Sequence, residues 1–325
     1  MTIFLFWTLI LIVSLFVLVK AAGAFTDSAE ELGLYLKMPA FLVGVTIVAI
    51  GTSLPEIVSS VIAVLQGTTE FVAANVIGSN IANIFLILGV AAVIGKKLKV
   101  EYNLIHVDLP LLVGSAFVFL ITVYDGVFTI FEAAICLLGM LLYMLYVINT
   151  QHQRQSKETS KELEKELKKE LKEERRKFDN RDILILVGSA LFIYVGARFT
   201  VDAVIHLSEL LSIGSEIIAI SAVALGTSLP ELAVSVKAAM KGQPEIAVGN
   251  VLGSNIFNVF GVMGISGLFG TLVVPHNLLV FGLPVMIIAT LLYFFTTQDK
   301  EITHWEGWIF LVFYVLFIAK LFALF

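Results

Sequence analysis

A polar hexapeptide, GTSLPE, occurs twice in this otherwise apolar chain, at residues 51–56 and 226–231. Each copy is followed, 27 residues after its start, by a second motif that reads GSNIAN in one copy and GSNIFN in the other. Residues 49–95 align with 224–270 without a gap, and 22 of the 47 aligned pairs are identical. The chain therefore contains an internal duplication, and both halves must fold around the same helix-breaking elements.

The composition restricts the chain to one environment. Of the 325 residues, 58% are hydrophobic and 14% are charged, whereas soluble domains carry about 25% charged residues. Residues 246–298 contain no Asp, Glu, Lys or Arg, which is long enough for two membrane spans and a turn. These features indicate a polytopic membrane protein. The first apolar segment lacks a basic leader and a small-residue cleavage site, so we interpret it as a retained span.

Hydropathy and turn signals predict ten apolar segments, which must be helices because isolated strands cannot satisfy their backbone groups in lipid. The predicted fold class is an all-α polytopic membrane protein with ten transmembrane helices. The predicted segments are 3–24, 40–65, 71–95, 105–124, 128–149, 182–203, 213–239, 245–270, 277–297 and 305–324.

The duplicated unit comprises five spans, and five is an odd number. Two copies of such a unit enter the membrane from opposite sides, so the sequence predicts two inverted five-helix repeats, at 1–150 and 182–325. Inverted repeats are typical of secondary transporters, whose substrate site lies near the midplane between the repeats.

A highly charged segment joins the two halves. Residues 154–182 contain 20 of the 47 charged residues of the chain, and we interpret 151–181 as a solvated connector or as a regulatory, partner-binding helix. Five further lysines fall at span ends on the same side of the membrane. The positive-inside rule then predicts a cytoplasmic connector, with both termini outside the cytoplasmic membrane. These lysines are Lys96, Lys97, Lys99, Lys241 and Lys300.

The hexapeptide brings polar groups to membrane depth. Pro55 lacks an N–H group and clashes with the carbonyl of Gly51, so the helix should bend there and free main-chain carbonyls. Irregular backbone at this depth is tolerated only where it faces protein or a cavity. Glu56 is the only charged residue between Lys37 and Glu70. A bare carboxylate in mid-bilayer costs several kcal/mol, so it requires a partner, a proton or a bound cation.

The two motifs together supply a set of hard oxygen ligands. In GSNxxN the Ser and the second Asn are four residues apart and share one helical face. Carboxylates, amides, hydroxyls and freed carbonyls suit Ca²⁺ and Na⁺. Zn²⁺ and Cu favour His and Cys, and neither residue occurs in the two motifs. Two carboxylates can neutralise one Ca²⁺ or host Na⁺ in its place, which is the requirement for exchange. The candidate side chains are Thr52, Ser53, Glu56, Ser79, Asn83, Thr227, Ser228, Glu231, Ser254 and Asn258.

The paired motifs resemble those of the cation/calcium exchanger superfamily, whose two alpha-repeats carry a GTSxPE…GSNxxN signature, and the prokaryotic sodium/calcium exchanger branch in particular. The resemblance implies ten helices and alpha-repeats at 49–95 and 224–270. It also implies a calcium site made by Thr52, Glu56, Thr227 and Glu231. Flanking sodium sites would use these residues with Ser53, Ser79, Ser228 and Ser254, together with the main-chain carbonyls of Ala49 and Ala224.

One position departs from the pattern. Relatives can carry Asp where this chain has Asn258, and this neutral residue makes K⁺ co-transport unexpected. Proton/calcium relatives show GNxxE in place of GTSxPE, so the resemblance favours Na⁺ over H⁺ as the counter-ion, with H⁺ competing at the carboxylates.

We therefore predict a secondary antiporter that exchanges Na⁺ for Ca²⁺ by alternating access, with no cofactor and no nucleic-acid partner. The alternatives are an H⁺/Ca²⁺ exchanger, a cation channel, or a structural membrane protein with a vestigial site. No Walker sequence and no acylating or redox constellation occurs in the chain, so an ATP-driven pump or an enzyme is not expected.

Overall fold

We analysed a computed structural model of the chain, which describes residues 2–35, 51, 53–99, 108–158, 180–240, 242 and 244–322. Throughout these ranges the long elements are all helices, which confirms the predicted all-α class. Strand pairing is limited, over the same ranges, to two short ladders at the ends of helices.

The first half contains five helices and two short strands. The bounds are α1 Thr2–Tyr35, α2 Leu54–Leu65, α3 Glu70–Gly95, β1 Lys97–Lys99, α4 Leu109–Thr122, β2 Val127–Phe128 and α5 Ile130–Glu158.

The second half contains six helices and two short strands. The bounds are α6 Asn180–Leu211, α7 Ser215–Thr227, α8 Leu229–Met240, α9 Pro244–Phe257 with its continuation to Gly267, β3 Leu272–Val273, α10 Leu278–Thr296, β4 Glu301–Thr303 and α11 His304–Leu321.

Six of these helices are long and apolar enough to cross a membrane, and the bent pair α7–α8 makes a seventh candidate. Helices α2, α4 and the Ile130–Tyr146 part of α5 are apolar but shorter, and they lie within the predicted segments 40–65, 105–124 and 128–149. The count of ten spans therefore stays a prediction.

Three helices are longer than their apolar segments, and the first of these to note is α5, which ends at Glu158 and not at 149. We predicted spans at 3–24 and 182–203, but α1 continues to Tyr35 and α6 to Leu211. Helices α1 and α6 pack along each other so closely that a Cβ added to Gly196 would lie 3.0 Å from the main-chain N of Leu18. This contact lies within the predicted spans of both helices.

The helix break predicted by the hexapeptide is present in the second half, and the described residues of the first half show the same helix start. Ser228 separates α7 from α8, which meet at an angle of 40°, and Ser53 precedes α2 with a similar backbone conformation. In each half the proline occupies the first turn of the new helix, where its missing N–H is tolerated.

The two strand ladders obey the offset of 175 residues found in the sequence. Strand β1 pairs with β4, placing Leu98 opposite Ile302, and β2 pairs with β3, placing Val127 opposite Val273. Adding 175 to position 98 gives 273, and subtracting 175 from position 302 gives 127. The first pairing therefore becomes the second when the two halves are exchanged. Each ladder therefore joins one half of the chain to the other.

The helices of the two halves are interlocked in the same manner. Helix α5 packs on α9, and its counterpart α11 packs on α3. The latter contact is tight, since a Cβ added to Gly89 would lie 3.1 Å from the carbonyl oxygen of Gly307. Helices α3 and α9 are the most enclosed spans, so the interior of the molecule is built around the GSNxxN motifs.

Candidate cation-binding site

The two motif carboxylates lie in the interior, one from each half. Glu56 is in the first turn of α2 and Glu231 is in the first turn of α8, and each side chain is 1% exposed. Their carboxyl groups interact electrostatically, and the Thr227 side chain is a hydrogen-bond partner of Glu56. The site is thus shared between the halves, since Glu56 meets residues of the second hexapeptide.

The helix break explains why a carboxylate is tolerated here. A break at Ser53 or Ser228 creates a new helix N-terminus, whose unpaired N–H groups and positive dipole end favour a negative charge in the first turn. Pro230 has no N–H to bond the carbonyl of Gly226. Each break therefore offers both a stabilised carboxylate and a main-chain acceptor.

Four asparagines cross-link the two GSNxxN motifs. The Asn83 amide donates to Oδ1 of Asn255 over 2.9 Å, and the Asn258 amide donates to Oδ1 of Asn80 over 3.0 Å. Asn80 also donates to the main-chain carbonyl of Asn255 over 3.3 Å, and Asn255 donates to that of Asn80 over 3.5 Å. All four side chains are buried. We call this set the asparagine quartet.

We call Asn83 and Asn258 the outer asparagines of the quartet, and Asn80 and Asn255 the inner ones. The hydrogen bonds of the quartet fix which end of each outer amide is available. The N–H groups of Asn83 and Asn258 point at the partner oxygens, so their own Oδ1 atoms are free to bind another group. Hydrogen-bond networks of this kind define the orientation of an amide. The quartet therefore presents two neutral oxygen ligands, one from each half.

Six buried oxygens of the predicted site, including these two, have no hydrogen-bond partner among the residues that the structure describes. Buried acceptors without a partner are rare in proteins and indicate that another species binds them. Hydroxyl, amide and carboxylate oxygens of this kind are typical ligands of Ca²⁺ and other hard cations. The atoms are Ser53 Oγ, Glu56 Oε2, Ser79 Oγ, Asn83 Oδ1, Ser228 Oγ and Asn258 Oδ1.

Helices α3 and α9 change their winding beside these ligands. A π-helical segment runs from Ala82 to Leu88 in α3, and another from Asn258 to Val262 in α9. Such segments are frequent at functional sites, where they change the direction in which side chains point. Both include or begin at the outer asparagine of the quartet.

Ten of the twelve predicted site residues fall within the described ranges, and all ten are buried. Ala224 accepts from the N–H of Ser228 over 3.2 Å and from the Thr227 hydroxyl over 3.4 Å. Ala49 and Thr52 lie outside the described residues. Hydrogen bonds or direct interactions join Glu56, Thr227 and Glu231 in one group, and Asn83 and Asn258 to the quartet.

The sequence reasoning missed Asn80 and Asn255 as parts of the site. Both belong to the quoted motif and are identical in the two copies, which was the available signal. Their role depends on hydrogen bonds between residues 172 and 178 positions apart, and spacing within one motif does not reveal such contacts.

The described part of the chain has no group of three or more His, Cys, Asp or Glu side chains that could hold a metal ion. The candidate site instead combines two carboxylates with neutral oxygens.

A family model described as "sodium/calcium exchanger protein" matches residues 6–149 and 182–323. The chain belongs to this family. The match omits most of the charged segment and includes both copies of the hexapeptide, so it spans the two halves that the duplication defines.

Two individual relatives are similar over nearly the whole chain. "Sodium/calcium exchanger MaX1" of Methanosarcina acetivorans is 39% identical over 97% of this chain and 98% of its own length. "Uncharacterized membrane protein MJ0091" of Methanocaldococcus jannaschii is 30% identical over 95% of this chain and 96% of its own length.

A solved structure of the sodium-calcium exchanger NCX_Mj, soaked with 2.5 mM Na⁺ and 10 mM Sr²⁺, superposes with a TM-score of 0.66 and 27% identity. The similarity covers 98% of this chain and 99% of that one. The same exchanger soaked with zero Na⁺ and Ca²⁺ gives a TM-score of 0.62. This chain is therefore a multi-pass membrane protein with an exchanger fold.

Proposed function

We propose that this protein is a secondary antiporter that exchanges Na⁺ for Ca²⁺. The observation that carries the proposal is the pair of buried carboxylates, Glu56 and Glu231, which interact with each other although they come from opposite halves. Two like charges enclosed at this depth repel each other and are poorly solvated. A bound cation neutralises both at once.

The proposed ligands are all hard oxygens. One Ca²⁺ balances the two carboxylates, and Na⁺ ions spread over the neutral oxygens balance them in its absence. Because both loads require the same glutamates, they exclude each other, and exclusion couples the two fluxes. The proposed site comprises Ala49, Thr52, Ser53, Glu56, Ser79, Asn83, Ala224, Thr227, Ser228, Glu231, Ser254 and Asn258.

The same charges account for coupling during the transport cycle. A loaded site is close to neutral and can pass through the occluded, low-dielectric state, whereas an empty site retains two bare charges. The empty protein therefore resists the transition between its outward-open and inward-open forms. We assign the movement to α1 and α6, which pack on each other along their length.

The proposed architecture has ten spans in two inverted five-helix repeats, 1–150 and 182–325, joined by the connector 151–181. The pairwise symmetry of the strand ladders and of the asparagine quartet supports it. The basic span ends favour a cytoplasmic connector and outside termini in the cytoplasmic membrane. Residues 159–179 of the connector lie outside the described part of the chain.

Sodium-driven calcium uptake tests the proposal. Purified protein would be reconstituted in Na⁺-loaded liposomes, and ⁴⁵Ca²⁺ uptake measured at equal pH with Na⁺ or K⁺ outside. We expect uptake only when Na⁺ can flow outward. Uptake that ignores Na⁺ but follows an imposed pH gradient would replace this proposal with H⁺/Ca²⁺ exchange, and uptake that needs neither gradient would indicate a channel.

A further inference from the structure

Two buried residues in the hairpin formed by α2 and α3 have polar atoms that no described residue satisfies. Ser60, on α2, and Asn75, on α3, are fully buried. Ser60 Oγ and both the Nδ2 and Oδ1 atoms of Asn75 lack a hydrogen-bond partner. A buried amide with neither end bonded is costly, and such groups in proteins are commonly satisfied by ordered water.

The equivalent residues of the second half are bonded to each other. Asn250 Nδ2 donates to Ser235 Oγ over 3.0 Å and to the main-chain carbonyl of Glu231 over 3.2 Å. Ser235 and Asn250 are the residues that align with Ser60 and Asn75 at the offset of 175. The Ser and Asn side chains are therefore hydrogen-bonded to each other in the hairpin of α8 and α9, but not in the hairpin of α2 and α3.

A third unsatisfied group comes from the opposite half. Ser266, at the end of α9, is fully buried and its Oγ has no partner among the described residues. This part of α9 packs on both α2 and α3. The position aligned with Ser266 in the first half is Ala91, so the second hairpin has no corresponding hydroxyl.

The segments that follow Ser266 and Ser60 contact each other. The loops that follow α2 and α9 meet, since the N–H of Val273 donates to the Thr69 hydroxyl, and the two helices are therefore parallel. A Cβ added to Gly270 would lie 3.0 Å from Val64 Cγ1. Gly270 and Val64 each follow the corresponding serine by four positions.

The chemistry of the open position selects its ligand. A metal ion could bind the three oxygens, but it could not accept a hydrogen bond from Asn75 Nδ2. Water both donates and accepts, and buried waters typically make about three hydrogen bonds to otherwise unsatisfied groups. The required ligand is therefore water.

We propose that Ser60, Asn75 and Ser266 bind buried water one helical turn beyond Glu56. Ser60 follows Glu56 by four residues on the same face of α2, in the direction of Gln66 at the end of that helix. The bound water forms a hydrated step between the carboxylates and this end of the molecule. In the second half the bond from Asn250 to the Glu231 carbonyl occupies the equivalent position.

The role of this water in ion access rests on the proposed exchange function, but its presence does not. The test therefore measures water access without measuring transport. Cys136 is the only cysteine of the chain, so Cys136→Ala provides a thiol-free background for the matched variants Ser60→Cys and Ser235→Cys. Each purified variant would be exposed to Ag⁺ for a set time, after which the reaction would be quenched and the protein denatured. A maleimide would then label every thiol that had not bound Ag⁺. Mass spectrometry would measure the unlabelled fraction, which is the fraction that had reacted with Ag⁺.

We expect the thiol of Ser60→Cys to react roughly tenfold faster than that of Ser235→Cys, because reaction follows access to water. Equally slow reaction of both thiols would overturn the hydrated pocket, and equally fast reaction would overturn the difference between the halves. If either variant fails to elute as a single species, a high-resolution crystal structure replaces the test. We expect ordered water within hydrogen-bonding distance of Asn75, and a dry, apolar-filled space there would contradict the proposal.

Discussion

The two alpha-repeats are alike at the ion site and different beside it. The four hydrogen bonds that join the asparagines of the quartet form two pairs, and exchanging the halves converts one member of each pair into the other. One helical turn away the symmetry fails, because Asn250 is bonded to Ser235 whereas Asn75 and Ser60 have no partner among the described residues. A site shared by two halves must be symmetric, but its access routes must differ, since only one can be open at a time.

The largest effect is expected from removing either carboxylate. Glu56→Gln and Glu231→Gln should both abolish sodium-driven calcium uptake, because each variant leaves a single carboxylate to balance the two charges of Ca²⁺. The matched control is Glu209→Gln, an exposed glutamate of α6, which should transport normally. Retained uptake in only one of the two site variants would break the symmetry that we assign to the site.

Loss of an inner asparagine should weaken ion binding without abolishing it. Asn80→Ala and Asn255→Ala each remove the acceptor that orients an outer amide, at a cost of about 1–3 kcal/mol. We expect the half-saturating Ca²⁺ concentration to rise roughly 5- to 150-fold, by similar factors in the two variants.

Asn277→Ala is the control for this pair of variants. Asn277 caps the start of α10 and bonds Glu216 at an exposed position, so its loss should lower thermal stability and leave Ca²⁺ affinity unchanged. An equal loss of affinity in all three variants would mean that the quartet is merely structural.

An acid at the outer position should make transport depend on pH. Asn258 donates to Asn80 Oδ1, and an Asp in its place can keep this bond only while its carboxyl group is protonated, because two acceptors repel. We expect Asn258→Asp to resemble the parent protein at low pH and to diverge as the pH rises. The rate of exchange measured from pH 5 to 9 in both proteins checks this, and parallel profiles would contradict it.

The smallest effect separates the two hairpins. Ser235→Ala removes an acceptor of Asn250 and should lower the free energy of unfolding by about 1 kcal/mol. Ser60→Ala should have a smaller effect, because bound water keeps its contacts with the remaining groups of the pocket. Thermal unfolding of the two variants in the same detergent provides the comparison, and a larger loss for Ser60→Ala would reverse it.

Much of the fold follows from local sequence. Proline and glycine in the hexapeptide predict the breaks at Ser53 and Ser228, and hydropathy predicts where the helices lie. The isolation of Glu56 and Glu231 among apolar residues predicts a cation site. These features depend on one segment at a time, and the local rules of helix breaking and charge burial are sufficient for them.

Contacts between the halves could not be predicted in the same way. The quartet joins Asn83 to Asn255 across 172 residues. The ladder of β1 and β4 pairs Leu98 with Ile302, which are even farther apart in the sequence. Strands of two or three residues leave no recognisable pattern in a sequence. Hydropathy likewise does not report how far α1 continues beyond its apolar part.

The most direct test of the shared site is the number of Ca²⁺ ions that one chain binds. Equilibrium binding of ⁴⁵Ca²⁺ to the purified protein should give one ion per chain, displaced by Na⁺. Either Glu56→Gln or Glu231→Gln alone should remove that ion. A single substitution that leaves one Ca²⁺ bound with unchanged affinity would show that the two halves hold separate sites, and would contradict the account.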